Sequence, residues 1–222
     1  FPAWLEKAGE LPGSTAAGKD LIWRARTRQA IPYLTSLASD TTFSFKSRLR
    51  YFRAFDFFHA GYEKSQALLK VMNVPSSDRI EISKLVLLHL DASFVLNSPR
   101  GIRALEKLLD ETYGTSNYIE LVMRYEPESE IPRLADLASQ QGGEGVGLEA
   151  GKHLLKQAGK SYFSEKLLAS SPDQKVRLLA SIQHAGGEDA MALFSSVILS
   201  TDLPLEVRQE AARLVGSSWD GE

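Results

Sequence analysis

The closest match to a chemical motif is a glycine-rich run near the start of the chain, Gly13-Ser14-Thr15-Ala16-Ala17-Gly18-Lys19-Asp20. Its spacing satisfies the G-x-x-x-x-G-K pattern of a P-loop, in which backbone N–H groups cradle phosphates. Asp20, however, stands where a P-loop has the Ser or Thr that binds Mg²⁺, and its carboxylate would lie beside the phosphates. A P-loop also follows a buried strand, whereas residues 2–9 have the pattern of a short helix. We therefore expect a loop leading into a helix, and no nucleotide site.

Two further segments have the composition of binding loops but lack the order that binding requires. Gly142-Gly143-Glu144-Gly145-Val146-Gly147 is rich in glycine, yet no strand precedes it, so we expect a mobile loop between helices. The second segment places carboxylates at alternating positions, Glu126, Glu128 and Glu130, but lacks the Asp/Asn/Gly ladder of a calcium loop. We expect a solvated loop there.

The residues that most often carry catalysis or metals are scarce and scattered. Cysteine is absent, which excludes disulfides, thiolate zinc sites, iron–sulfur clusters, a cysteine nucleophile and covalent haem attachment. No G-x-S-x-G elbow is present. The histidines are isolated and show no H-x-x-x-H or H-E-x-x-H spacing. They are His59, His89, His153 and His184. We expect no catalytic residue, metal or cofactor; an enzyme domain with an unrecognised active site is kept as a third functional class.

The most distinctive composition is a basic and aromatic stretch in the N-terminal third. Residues 19–53 have a formal charge of +6 and residues 54–222 a formal charge of −7, within a total of −2. Some of the aromatic residues recur at helical spacing and predict core, namely Tyr51, Phe55 and Phe58. Arginine beside aromatic residues is also typical of protein interfaces. The possible partner-binding residues are Trp23, Arg24, Arg26, Arg48, Arg50 and Arg53.

These residues must be positioned by helices, because apolar residues recur at intervals of three and four along the chain. Tyr118, Leu121, Val122 and Tyr125 share one predicted helical face. Short Gly, Ser, Asn and Pro clusters separate the helices. No apolar run approaches the ~20 residues of a membrane span. The predicted fold class is therefore all-α.

The last hundred residues contain an internal repeat. Val146, Val176 and Val207 begin similar helices at spacings of 30 and 31 residues, and four residues after each comes a small residue, Ala150, Ala180 or Ala211. We expect each alanine to permit close helix packing. A glycine then closes each helix as a left-handed C-cap. These glycines are Gly159, Gly186 and Gly216.

The final copy, Leu203 to Leu214, resembles the second helix of a HEAT repeat, whose pattern is Pro, then Val-Arg, then Ala, then Leu. This predicts an α-solenoid of antiparallel helix pairs, a HEAT/armadillo-like superhelix, over residues 1–222 as one domain. Residues 1–98 would form degenerate pairs and residues 99–222 more regular repeats. A period near 30 also leaves room for a TPR-like or irregular array of helix pairs.

Three longer stretches resemble a narrower family: residues 17–26 (AGKDLIWRAR), residues 50–57 (RYFRAFDF), and residues 203–208 running into 218–221 (SWDG). They are similar to the helical-repeat region of large exported bacterial proteins of the planctomycete and verrucomicrobial kind. Those proteins are described as haem-binding or membrane-bound dehydrogenase-like, and usually end in a c-type cytochrome module. The resemblance implies a periplasmic or exported connector. It does not imply haem in this segment, which lacks C-x-x-C-H.

Together these patterns predict a non-catalytic HEAT-like scaffold or interaction segment. By the resemblance, it would connect redox modules of a larger exported protein; the chain begins with Phe1, which favours a piece of something longer. The alternative is a stand-alone HEAT-repeat module that binds a protein or peptide. We expect the partner to be a protein or a neighbouring domain. The negative total charge argues against nucleic acid.

Overall fold

The structure is a computed structural model that describes residues 15–59, 61–185 and 187–219. Within those ranges the chain forms α-helices, short 3₁₀-helices and turns, and no strand. The predicted all-α fold class is therefore confirmed. The chain divides into two compact units, Phe1–Thr112 and Tyr113–Glu222. The predicted change from degenerate to regular repeats after residue 98 lies within the first unit.

The first unit contains seven α-helices over its described residues. They are α1 (Ala16–Arg24), α2 (Ile31–Ser39), α3 (Phe45–Ala54), α4 (Tyr62–Met72), α5 (Arg79–His89), α6 (Ala92–Asn97) and α7 (Pro99–Thr112). Two 3₁₀-helices, Arg28–Ala30 and Phe55–Phe57, lead into α2 and out of α3.

The second unit contains six further α-helices over the residues described. They are α8 (Ser116–Tyr125), α9 (Ile131–Gln141), α10 (Gly145–Ala169), α11 (Pro172–Ser181), α12 (Gly187–Leu199) and α13 (Leu205–Trp219). The 3₁₀-helix Glu128–Glu130 precedes α9.

Several helices begin where a short polar side chain accepts a hydrogen bond from a backbone N–H that lacks a partner within the helix. Thr15 does this for α1 and Ser44 for α3. In the second unit, Ser171 and Gln174 form a reciprocal capping box at the start of α11, and Pro172 is the first residue of the helix. These caps explain why the boundaries fall where the sequence places Ser, Thr and Pro.

The core of the first unit is aromatic. Tyr51, Phe52 and Phe55 are fully buried and Phe58 is nearly so, which confirms the predicted core role of Tyr51, Phe55 and Phe58. Around them, α2 packs on α3 and α4, α3 packs on α5, and α5 packs on α4 and α7. Helix α2 thus contacts both of the helices that follow it, whereas α3 and α5 contact the helix two places further along. Burying each large side chain contributes roughly 1.5–3 kcal/mol.

The second unit has the same kind of packing. Helix α9 contacts α10 and α11, α10 contacts α11 and α12, and α13 contacts α11 and α12. The predicted face of α8 is buried, since Tyr118, Leu121, Val122 and Tyr125 are each at most 5% exposed. Val207 and Ala211 on α13 are also fully buried.

A close approach of helices α10 and α11 lies one residue beyond the predicted Ala150 and Ala180. Ala150 is fully buried, but a Cβ added to the next residue, Gly151, would lie 2.0 Å from Ser181 Oγ and 2.7 Å from the Ser181 carbonyl oxygen. Ala180 instead lies against Gly143, where an added Cβ would be 2.8 Å from the Ala180 carbonyl oxygen. Glycine is therefore the residue that permits α10 and α11 to approach.

The predicted glycine caps have different outcomes. Gly159 has a φ of 76° and interrupts α10, so a helix break with positive φ is confirmed there. Gly216 lies inside α13, which continues to Trp219, so the prediction that it ends the helix is wrong. Nothing around Gly216 forces a reversal, because an added Cβ would meet no atom within 4 Å. Gly186 lies outside the described residues.

Candidate functional site

The first two predicted partner-binding residues interact at the end of α1. The indole Nε1 of Trp23 donates a 2.8 Å hydrogen bond to Asp20 Oδ1, and Arg24 lies 3.3 Å from the other carboxylate oxygen. The Arg24 guanidinium also lies 5.1 Å from the centroid of the Trp23 ring. Asp20 therefore offsets part of the positive charge that the sequence places here.

Arg48 does not lie on the surface that we predicted for it. Its side chain is 1% exposed, and its Nε donates a 2.8 Å hydrogen bond to the Ala38 carbonyl near the end of α2. A cation at the C-terminal end of a helix satisfies free carbonyls and the helix dipole. Burial lowers the pKa of the Arg48 guanidinium. The residue joins α3 to α2, and the prediction that it faces a partner is corrected on this ground.

The other two arginines of α3 are exposed. Arg50 donates a 2.6 Å hydrogen bond to the Tyr51 hydroxyl and lies 4.7 Å from the centroid of the same ring. Arg53 makes no ion pair with the residues that the structure describes. Both remain predicted partner contacts, although neither lines a cavity described below.

Arg26 is the predicted site residue that lines a cavity. Its guanidinium lies 3.4 Å from the centroid of the Phe57 ring, and its Nη1 donates to the Trp23 carbonyl at 3.2 Å. Arg26 and Phe57 form one wall of a cavity of about 450 Å³ in the first unit. A second cavity of about 590 Å³ adjoins it. The two cavities share four lining residues, namely Arg28, Ile31, Tyr62 and Glu63.

We call these adjoining cavities the α2–α4 cleft, because the starts of α2 and α4 contribute residues to both. The cleft combines cations with exposed aromatic surface: Tyr62 is 76% exposed and Phe57 is 55% exposed. The cationic side chains that line it are Arg26, Arg28, Lys64 and Lys70, against a single carboxylate, Glu63. The cleft therefore presents an excess of positive charge beside exposed aromatic side chains.

The environments of the cations in the α2–α4 cleft differ. Arg28 and Lys70 are exposed and make no ion pair within the described parts of the chain. Lys64 is partly buried, with its Nζ 3.5 Å from the Phe58 carbonyl oxygen. Burial lowers the pKa of the Lys64 ammonium. A carboxylate brought into the cleft would therefore meet cations that make no direct ion pair with a carboxylate of the described residues.

Sequence reasoning missed most of this cleft. Arg28 belongs to the basic stretch, but Tyr62, Lys64 and Lys70 lie outside it and have no distinguishing spacing. The available signal was weak: Glu63 and Lys70 lie seven residues apart and so share a helical face. Which face stays open depends on how α2 and α4 pack, and periodicity alone does not specify that.

The two glycine-rich motifs, residues 13–20 and 142–147, have structural roles over their described residues. We expected a loop leading into a helix; Thr15 is the N-cap of α1, so the helix already includes Gly18 and Lys19. Lys19 Nζ lies 4.5 Å from the centroid of the Phe43 ring. In the glycine cluster, Gly142 has a φ of 70° in the turn between α9 and α10. A Cβ at Gly147 would lie 2.5 Å from the Gly142 carbonyl oxygen. This turn is tightly packed.

The acidic run is not a uniformly solvated loop, so that prediction is wrong for Glu130. Its side chain is buried, and Oε2 accepts a 2.8 Å hydrogen bond from the Tyr118 hydroxyl. Arg133 completes the cluster, with Nη1 at 3.2 Å from the same carboxylate oxygen. Burial and the bond to Glu130 raise the pKa of the Tyr118 hydroxyl. Glu126, by contrast, is exposed and pairs with Lys156 at 2.8 Å.

The histidines lie in separate surroundings. His89 Nδ1 lies 2.6 Å from Asp56 Oδ1, with its ring stacked on Phe52. His153 is mostly buried, and burial lowers its pKa. Within the described ranges, no group of three or more His, Asp or Glu side chains is arranged to hold a metal ion. In the same ranges, no helix has both the length and the apolar character that crossing a membrane requires.

In comparisons with known proteins, no family model, curated protein or solved structure matches the chain.

Proposed function

We propose that this chain is a non-catalytic helical-repeat segment that binds another protein or a neighbouring domain. The observation that carries the proposal is the α2–α4 cleft, in which exposed Tyr62 and Phe57 lie among cations that lack carboxylate partners. Aromatic and arginine side chains dominate the energetics of protein interfaces. A surface of this kind favours recognition over chemistry.

The proposal includes a HEAT/armadillo-like arrangement of antiparallel helix pairs. Support comes from packing within each unit, where helices such as α2 and α9 contact both of the helices that follow them. That pattern is typical of arrays in which each pair stacks on its neighbour. The buried Val207 and Ala211, at the positions of the HEAT-like pattern, add to this support.

A peptide-display selection on the full chain tests the binding role. Random peptides are selected first on the unaltered chain and then rescreened on Tyr62→Ala, which removes an exposed ring without opening the core. Truncating an aromatic side chain that anchors a ligand typically costs about 2 kcal/mol or more of binding free energy, which is about a thirtyfold loss in affinity. Peptides that depend on Tyr62 support the proposal. Failure to enrich any peptide, or enrichment indifferent to this substitution, contradicts it.

The molecular context is a separate part of the proposal and rests on the sequence resemblance described above. In that context the segment would connect c-type cytochrome or dehydrogenase modules of an exported protein; the alternative is a stand-alone binding module. Cell fractionation and haem staining of the natural polypeptide that contains this sequence separate the two. Covalent haem on an exported polypeptide supports the connector. A haem-free polypeptide supports the stand-alone module.

A further inference from the structure

We infer that the α2–α4 cleft binds an acidic, extended peptide segment that carries one large apolar side chain. This inference rests on the proposed binding function and adds the chemistry of the partner. The occupant is a segment of another protein, and complementarity of charge, apolar surface and hydrogen bonding selects it.

The apolar part of the cleft accounts for the anchor side chain. Phe57 is 55% exposed and Tyr62 is 76% exposed, and the Arg26 guanidinium lies over the Phe57 ring at 3.4 Å from its centroid. Ile31 lines both cavities and Ala67 lines the larger one, and each is 7% exposed, so part of the lining is aliphatic. An aromatic or aliphatic side chain placed here gains contact without displacing a protein residue.

The positive charges of the cleft are the reason for proposing an acidic ligand. Lys70 lines one cavity, Lys64 lines the other, and Arg28 lines both. None of the three has an ion-pair partner among the described residues. Charge-assisted hydrogen bonds from such donors to carboxylates are about twice as strong as neutral ones. Glu63 is the one lining carboxylate that would oppose an acidic ligand.

The spacing of two of these cations along α4 is the reason for proposing an extended ligand. Lys64 and Lys70 are six residues apart on α4, roughly 9 Å along the axis at 1.5 Å per residue. An extended peptide spans that distance with about three residues at about 3.3 Å each. Two carboxylates three residues apart in an extended ligand are therefore separated by about the same distance as Lys64 and Lys70 along the axis of α4.

The amides of the cleft favour a peptide over a phosphate or a nucleic acid. Gln29 and Gln66 line the larger cavity, and their side chains make no hydrogen bond with the described residues. A carboxamide offers both a donor and an acceptor, which is what a peptide backbone requires and a phosphate does not. The chain also lacks the net positive charge that is typical of nucleic-acid binders.

Fluorescence anisotropy on the full chain tests the inference. The probe is a short fluorescein-labelled peptide with Glu at every third position and a central Phe. Matched peptides replace Glu with Lys, or Phe with Ala, and a single-stranded oligothymidylate serves as a nucleic-acid probe. We expect the Glu/Phe peptide to bind most tightly and to weaken with added salt, because screening reduces the attraction between exposed charges.

The matched variants locate the site. Arg28→Glu with Lys70→Glu should weaken binding of the Glu/Phe peptide about tenfold or more, since two charge-assisted hydrogen bonds are lost and two carboxylates that repel the ligand are introduced. Arg100→Glu with Arg103→Glu makes the same change of charge on exposed α7 residues outside the cleft, and should leave binding unchanged. Circular dichroism of both variants checks that the fold is retained.

Three results overturn the inference. The first is binding of the Lys peptide or of the oligothymidylate that is as tight as, or tighter than, binding of the Glu/Phe peptide. The second is an equal loss of affinity in the cleft variant and in the α7 control. The third is the absence of binding by every probe. The proposed function fails separately, when display selection yields no peptide that depends on Tyr62. Selected peptides that use Tyr62 but are neutral or basic would sustain the binding function and refute the acidic ligand.

Discussion

The contact between Gly151 and Ser181 gives the sharpest test of the packing of the second unit. Replacing Gly151 with Ala adds one methyl group at a point 2.0 Å from Ser181 Oγ and 2.5 Å from Ser181 Cβ. Ser181 is fully buried and its hydroxyl donates to the Leu178 carbonyl at 2.7 Å, so it has no solvent into which to move. Helices α10 and α11 would have to separate.

The expected magnitude follows from two opposing effects. Overpacking a core costs about 1–3 kcal/mol, and contact this short favours the upper end of that range. Alanine in place of glycine inside a helix gains roughly 1 kcal/mol. We therefore expect Gly151→Ala to lower the free energy of unfolding by about 1–2 kcal/mol. For a chain of this size, that corresponds to a fall in Tm of about 2–8 °C.

Gly216→Ala is the matched control, because it makes the same substitution inside α13 where the added Cβ meets nothing within 4 Å. It should stabilise the chain by up to about 1 kcal/mol. Urea unfolding followed by far-UV circular dichroism measures both variants. Adding Ser181→Gly to Gly151→Ala should restore part of the loss, a coupling that a double-mutant cycle isolates. If Gly151→Ala is as stabilising as Gly216→Ala, the close approach of α10 and α11 is refuted.

Two further predictions concern buried polar groups. Tyr118→Phe leaves the buried Glu130 carboxylate without its 2.8 Å donor and should cost about 1–3 kcal/mol in urea unfolding; an unchanged midpoint contradicts the bond. Because the folded-state pKa of Tyr118 is raised, the folded chain holds this proton above pH ~10 while the unfolded chain releases it, so stability falls as pH rises. Tyr118→Phe should reduce this loss of stability at alkaline pH. An identical loss in both proteins would refute the assignment of the pH dependence to Tyr118. Arg48→Glu buries a carboxylate in place of the donor to Ala38 and should cost about 3 kcal/mol or more, whereas exposed Arg50→Glu should cost little; equal stabilities would refute the burial of Arg48.

The helices were predictable because local signals agree. The spacing of Tyr118, Leu121, Val122 and Tyr125 predicts a helix, and the structure has α8 at Ser116–Tyr125. Pro172 and the Ser171–Gln174 capping box fix the start of α11 through interactions within a few residues. Such signals depend on neighbours in sequence, so a pattern of residue types is enough to find them.

The candidate site was only partly predictable, because exposure depends on tertiary packing. Arg26 and Arg48 have the same side chain in the same basic stretch, yet Arg26 lines the α2–α4 cleft and Arg48 is buried against the end of α2. Glu130 likewise follows two other glutamates but is buried beside Tyr118. The partners that decide these outcomes lie ten or more residues away, beyond the reach of a local pattern.

Hydrogen–deuterium exchange on the full chain, with and without a saturating amount of the Glu/Phe peptide, tests the central claim most directly. Amides that a ligand covers or rigidifies exchange more slowly. Binding in the α2–α4 cleft predicts slowed exchange within residues 26–35 and 57–70, and none of that protection in the Arg28→Glu, Lys70→Glu variant. Protection confined to residues 113–219, or no protection in any segment, would contradict the assignment of this cleft as the binding site.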